Sequence, residues 1–281
     1  MFVTAVLALA GTVAIPAVPE TSLPTLFIAG DSTAARYDAP DQQGWAEPFA
    51  AYFDPAKIRV DNRARGGRSS RTFVTEGLWD EMLANVKQGD FVLIQFGHND
   101  SGALNEEPPG STRPLRARGT IPGIGEETEA IDNVITRKHE IVHSFGWYLR
   151  KMIAEVRARD ATPILLTLTV TNKWSDERIE CERNYRQWDR DVANSQKVAL
   201  IDVTRIIADR YQQLGPIAVA KLFDKDTVHT NPAGADANAR AVVAGLRAMP
   251  DQKLAAALSF AGQRIAADTG FPAGSVCSAL P

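Results

Sequence analysis

Five short apolar runs punctuate this chain, and each is followed in turn by a polar segment and a longer stretch with helical spacing. The runs are Leu26–Ala29, Ile58–Val60, Phe91–Gln95, Pro163–Val170 and Val198–Val203. Between and after them, Trp45–Phe53, Leu78–Val86, His139–Arg159, Glu177–Gln196 and Pro232–Met249 space large apolar groups as helices do. The runs are nearly continuous in apolar residues rather than alternating. Such strands are buried on both faces, which predicts an α/β fold with a parallel sheet under helices. Ligand sites in such sheets lie beyond the carboxyl ends of the strands. Three segments fall there: Gly30-Asp31-Ser32, Arg65-Gly66-Gly67-Arg68 and Gly97-His98-Asn99-Asp100.

The chain has 281 residues, 44% hydrophobic and 23% charged, enough for one large domain without staples. Its net charge of -3 gives no support to a nucleic-acid partner. Two cysteines, Cys181 and Cys277, exclude a disulfide-dense scaffold and a CxxC zinc site. They can be one bridge or two free thiols. Phe2 to Val18 are apolar or small, and Ala8-Leu9-Ala10 fits a cleavage site, although no Lys or Arg precedes Arg36. Residues 1–22 are read as an atypical export signal, implying a secreted or periplasmic protein, with an apolar N-terminal arm as the alternative. Thr4, Gly11, Thr12 and Pro16 break the run before it reaches the ~18 apolar residues of a membrane span. Residues 23–249 form the expected domain. Residues 101–138, rich in Pro and Gly, read as a substrate-facing insertion, and 250–281 as a C-terminal extension.

Ser32, directly after a strand, has an exposed hydroxyl in a turn, although Asp-Ser-Thr is also a good helix cap. In Asp226-Thr227-Val228-His229 a carboxylate can reach one imidazole nitrogen and leave the other to accept a serine proton. Acyl transfer also needs donors for the oxyanion. The Asn99 amide and the backbone N–H of Gly67 or Ser32 are the candidates.

Together these four segments resemble the four blocks of the SGNH (GDSL-type) hydrolases. The strings LFIAGDSTAA (26–35), NRARGGRSSRTFVTEG (62–77), IQFGHND (94–100) and DTVHTNPAG (226–234) look like the rhamnogalacturonan acetylesterases, a carbohydrate esterase family. VHSFGWYLRK (142–151) is similar to bacterial members, and the resemblance spans about residues 25–248. It implies a three-layer α/β/α sandwich, flavodoxin-like, around a five-stranded parallel sheet. It implies Ser32 as nucleophile, His229 as base and then acid, and Asp226 orienting His229. The oxyanion hole would be the Ser32 and Gly67 N–H groups and Asn99. Asp31, Arg68, His98 and Trp174 are candidate substrate contacts. No cofactor or metal is implied, and the partner is an acetylated polysaccharide or oligosaccharide. Acetylated xylan or a small ester is the alternative substrate.

One motif competes. His139-Glu140-Ile141-Val142-His143 is a literal H-E-x-x-H, which on a helix would present two zinc ligands and a general base. The third ligand position of the longer zinc-peptidase pattern is Leu149, so the site is incomplete unless a distant carboxylate such as Glu155 or Glu177 supplies it. Arg63, Arg65, Arg68 and Arg71 cluster in the second rim loop, where Arg68 or Arg71 suits an acidic glycan. Trp147 is a further candidate for stacking on a sugar.

Overall fold

The computed structural model describes residues 23–106, 115–268, 270 and 274–277. The proposed export signal therefore lies outside the described residues. In chain order the elements are β1 (Thr25–Gly30), α1 (Ala46–Phe49, continued by a 3₁₀ turn), β2 (Arg59–Asn62), α2 (Ser70–Thr75), α3 (Leu78–Leu83) and β3 (Phe91–Gln95). Next come β4 (Thr128–Asp132), β5 (His139–His143), α4 (Phe145–Arg157), β6 (Thr162–Leu166), β7 (Trp174–Ser175), β8 (Arg178–Ile179) and α5 (Asn184–Gln196). The chain closes with β9 (Ala199–Ile201), α6 (Val203–Leu214), α7 (Pro216–Ala220), α8 (Pro232–Ala248), α9 (Lys253–Ala256) and α10 (Phe260–Gln263).

Five strands form one sheet in the order β2-β1-β3-β6-β9, all parallel. Alternate residues of each strand serve opposite faces. Leu26, Ile28, Phe91, Leu93, Ile164 and Leu166 pack with α1, α6 and α8. Phe27, Ala29, Val92, Ile94 and Leu165 pack with α2, α3, α4 and α5. Both faces are buried, as the unbroken apolar runs require, and the result is the expected three-layer α/β/α sandwich. The strand order reverses between β1 and β3, which opens a crevice beyond their carboxyl ends.

Several elements differ from the sequence reading. The stretch 139–159 is not one helix. His139–His143 is a strand paired antiparallel with β4 from the insertion, and helix begins only after Ser144, whose hydroxyl accepts from the Trp147 N–H at 3.2 Å. Helix α5 likewise starts at Asn184, not Glu177. Before it, Asp176 and Glu177 both adopt positive φ (48° and 62°), the geometry that joins a two-residue hairpin, here β7–β8. The strand expected over 198–203 stops at Ile201. Asp202 accepts from the Arg205 N–H at 3.3 Å and starts α6, a helix the apolar run had concealed. Cys181 and Cys277 are bridged, with Cα atoms 5.7 Å apart. Among the described residues, no helix is long and apolar enough to cross a membrane.

Candidate active site

Ser32 occupies a tight turn just past β1. The Asp31 side chain shapes that turn by accepting from the Thr33 N–H and the Thr33 hydroxyl, both at 2.8 Å. The Asp31 carbonyl accepts from the N–H groups of Ala34 and Ala35. Asp31 is 1% exposed, so its carboxylate serves this turn and does not reach out as a substrate contact. Ser32 retains 8% exposure, and its Oγ meets His229 Nε2 at 2.9 Å.

His229 sits in the loop between α7 and α8, 197 positions along the chain from Ser32. Its Nδ1 lies 2.7 Å from Asp226 Oδ2. Asp226 Oδ1 also accepts from the N–H groups of Val228 (2.7 Å) and His229 (2.8 Å). Burial alone would raise the Asp226 pKa. The backbone N–H and ring of His229 and the Val228 N–H outweigh it and hold the carboxyl below its usual value.

The His229 loop is moored on three sides. Asn231 caps α8 by accepting from the Gly234 N–H, and its amide donates to the Lys221 carbonyl and to Asp224. The Asn172 N–H donates to the Thr227 carbonyl at 2.7 Å. Gln43 and Thr230 bond reciprocally: the Gln43 N–H donates to the Thr230 carbonyl (2.8 Å), and the Thr230 hydroxyl donates to the Gln43 carbonyl (2.9 Å). Gln43 also accepts from the Tyr37 N–H at 3.0 Å. Thus the segment that follows Ser32 holds the segment that carries His229.

The second and third rim segments meet beside Ser32. Gly66 lies so close that a Cβ there would be 2.7 Å from the Tyr37 hydroxyl and 3.9 Å from Ser32 Cβ. Gly67 follows with φ +77°, a conformation glycine adopts without strain. Asn99, 7% exposed, donates through Nδ2 to the Arg68 carbonyl at 3.0 Å, which leaves its second amide hydrogen available. The N–H groups of Ser32 and Gly67 bond to no other described residue. Asp100 ties these segments together, accepting from the Ser70 hydroxyl at 2.5 Å and the Ser70 N–H at 3.1 Å. Full burial raises the Asp100 pKa to about 7 despite those bonds.

The remaining expected contacts are dispersed. Arg68 is half-exposed, paired with Glu76 at 2.8 Å, and also donates to the Gly66 carbonyl. His98 Nε2 is 3.1 Å from the Thr169 hydroxyl. Trp174 is partly buried against the core, its indole donating to Asn172 Oδ1 at 2.8 Å. Trp147 has one ring face stacked on His143 at 3.7 Å. Arg71 is fully buried, so it is no glycan contact. Its guanidinium grips Glu140 with two bonds (2.7 and 2.9 Å) and donates to the carbonyls of Leu104 and Gly119, pinning the insertion.

The competing zinc motif loses its geometry. On a strand, residues four apart are separated by roughly 13 Å, too far for one ion to hold His139 and His143. Glu140 is committed to Arg71 and Asn133, and His139 pairs with Asp132. Among the described residues no cluster of His, Cys, Asp and Glu suits a metal ion.

Sequence reasoning missed Tyr37, Gln43, Thr230 and Asn172 as supports of the site. Tyr37 faces Ser32; burial, with the nearby Asp31 charge, raises its phenol pKa.

The chain matches the GDSL-like Lipase/Acylhydrolase family over residues 28–237. It is similar to the rhamnogalacturonan acetylesterase of Emericella nidulans, 29% identical over 83% of this chain and 90% of that enzyme. It is also similar to the rhamnogalacturonan acetylesterase RhgT of Bacillus subtilis, 27% identical over 70% of this chain and 72% of that one. The crystal structure of YxiM from Bacillus subtilis aligns with a TM-score of 0.63 and 28% identity, covering 80% of this chain and 56% of that protein. The chain therefore spans little more than half of YxiM. The family match covers most of its length, and this chain belongs to the GDSL-like lipase/acylhydrolase family of ester hydrolases.

Proposed function

We propose that this protein removes O-acetyl groups from a plant cell-wall polysaccharide, acetylated rhamnogalacturonan, through an acetyl-enzyme on Ser32. One observation carries the reading: the unbroken chain Ser32 Oγ–His229–Asp226, at 2.9 and 2.7 Å, beside an amide donor from Asn99. The names of the E. nidulans and B. subtilis relatives support the substrate.

Ser32 Oγ attacks the acetyl carbonyl carbon while its proton passes to His229 Nε2. The oxyanion accepts from the Ser32 and Gly67 N–H groups and from Asn99 Nδ2. The carbon–oxygen bond to the sugar then breaks, and His229 returns the proton to the leaving sugar oxygen. Water then attacks the acetyl carbonyl carbon as His229 takes its proton, the acetyl–Ser32 bond breaks, His229 returns the proton to Ser32 Oγ, and acetate leaves. Throughout, ionised Asp226 holds the ring in one tautomer and stabilises the imidazolium. The Cys181–Cys277 bridge supports export to an oxidising compartment.

Acetate release from a panel of acetylated pectin, acetylated xylan and aryl acetates tests the reading. It requires release from the pectic substrate at the highest kcat/KM. A preference for xylan, or activity on aryl acetates alone, contradicts it.

A further inference from the structure

We infer that Trp174 is a positioning residue for His229: through Asn172 and the β7–β8 hairpin it braces the exposed loop that carries the imidazole. The inference rests on His229 as the base, as proposed above, and gives Trp174 a role other than stacking on a sugar.

The His229 loop needs a hold from outside. Asp224, Lys225, Asp226 and Thr227 are exposed, and Val228 and His229 are half-buried. Asp226 Oδ1 accepts from the Val228 and His229 N–H groups, but these bonds are internal to the loop. They set its shape and not its place. Among the described residues, only one backbone group between Asp224 and His229 bonds to a distant part of the chain. It is the Thr227 carbonyl, which accepts from the Asn172 N–H at 2.7 Å. Thr227 stands between Asp226 and His229, so this bond fixes where both groups sit relative to Ser32.

Trp174 fixes the donor. Its ring packs partly buried against the core, and its indole N–H donates to Asn172 Oδ1 at 2.8 Å. A tryptophan N–H seeks an acceptor when its ring is buried. Here the acceptor belongs to the residue whose own backbone N–H holds Thr227. With Oδ1 tied to a ring that the core holds, Asn172 has little freedom to turn its N–H away.

The hairpin behind Trp174 is anchored in turn. Trp174 pairs with Ile179, which is 4% exposed. Gln212 on α6 accepts from the Ile179 N–H and donates to the Glu177 carbonyl, both at 2.9 Å. Just past the hairpin, Cys181 bridges to Cys277. The brace therefore runs from α6 through the hairpin to Asn172 and on to the His229 loop. Misplacing a catalytic group by about 1 Å can cost ~10²-fold in rate, so such a hold is felt in turnover.

A sugar-stacking tryptophan matters only when the substrate carries a sugar, whereas a brace acts on any ester. Kinetics with an aryl acetate, which has no sugar, therefore tests the inference. Trp174→Phe keeps an aromatic ring and loses the N–H. It should lower kcat about tenfold with KM changed less than about twofold. Asn172→Ala should do the same, and Asn172→Asp, which keeps the acceptor oxygen, should recover most of the loss. Hydrogen exchange read by mass spectrometry should show the 227–231 amides exchanging severalfold faster in Trp174→Phe and Asn172→Ala, with β1, β3 and β6 unchanged. The Asn172 variants decide the matter if Trp174→Phe does not fold. Wild-type kcat on the aryl acetate with unchanged exchange at 227–231 would overturn the inference. So would a loss confined to acetylated pectin, the signature of a sugar contact. If His229→Ala keeps wild-type turnover, the catalytic assignment fails separately, and exchange at 227–231 still decides whether Trp174 braces the loop.

Discussion

Asp226 holds its negative charge because three groups of the same short loop converge on it: the backbone N–H groups of Val228 and His229, and the ring of His229. Its pKa lies below the ordinary carboxylate value, so its contribution is complete above that value and is lost only as pH falls through the lowered one. Replacing it by Asn leaves the loop's size unchanged but removes the charge that fixes the His229 tautomer. Asp226→Asn should lower kcat about 10³-fold or more with KM little changed, as steady-state acetate release will show. Asn99→Ala should cost about 10²-fold in kcat if the proposed oxyanion donor is removed with it. Ser32, Asn99, Asp226 and His229 were legible in the sequence because each stands in a short polar string at the end of an apolar run. Gln43 and Tyr37 were not. Gln43 acts through Thr230, 187 positions away, and no local pattern announces such a partner.

Pairing decided the elements that composition misjudged. Ile141, Phe145, Leu149 and Met152 have helical spacing, so 139–159 reads as one helix. Strand β4 captures 139–143 instead, with Ala130 facing Ile141 and Ile131 facing Glu140. The Arg71–Glu140 pair then fixes this hairpin to α2. Burial alone would raise the Glu140 pKa, but its bonds with Arg71 and Asn133 hold it below the usual value. Arg71→Met should therefore leave a largely buried, unpaired carboxylate and destabilise the protein by about 3 kcal/mol, measured by urea unfolding. The β7–β8 hairpin is fastened differently. Cys181, just past it, bridges to Cys277, while the Ser275 hydroxyl and the Val276 N–H donate to Asp209 on α6. The bridge closes a loop of 96 residues, so Cys277→Ser should cost about 2–5 kcal/mol by the same assay. Two cysteines in a sequence left this pairing open, because only the fold sets the distance between them.

The whole molecule is a parallel sheet whose five strands could be read from apolar runs, with the site at the reversal between β1 and β3. Two fully buried carboxyls, Asp100 after β3 and Asp189 on α5, are held toward their neutral form. Asp100 is fully buried, with its pKa raised to about 7, and burial raises Asp189 well above its usual value, reinforced by Glu182, Asp100 and Asp202. Raised carboxyl values reverse the usual pH dependence. The native state binds more protons than the unfolded chain between the ordinary value near 4 and the raised one, so stability falls as pH climbs through that window. Thermal melts should show a lower Tm at pH 8 than at pH 5, and Asp100→Asn should flatten part of that slope. The account's central claim concerns a covalent bond, and peptide mapping by mass spectrometry after rapid quenching of an aryl acetate reaction tests it most directly. One acetyl group on the peptide carrying Ser32, absent from Ser32→Ala and accumulating in a variant slowed at His229, is the result predicted. Turnover with no acetyl on that peptide, or wild-type rates from Ser32→Ala, would contradict it.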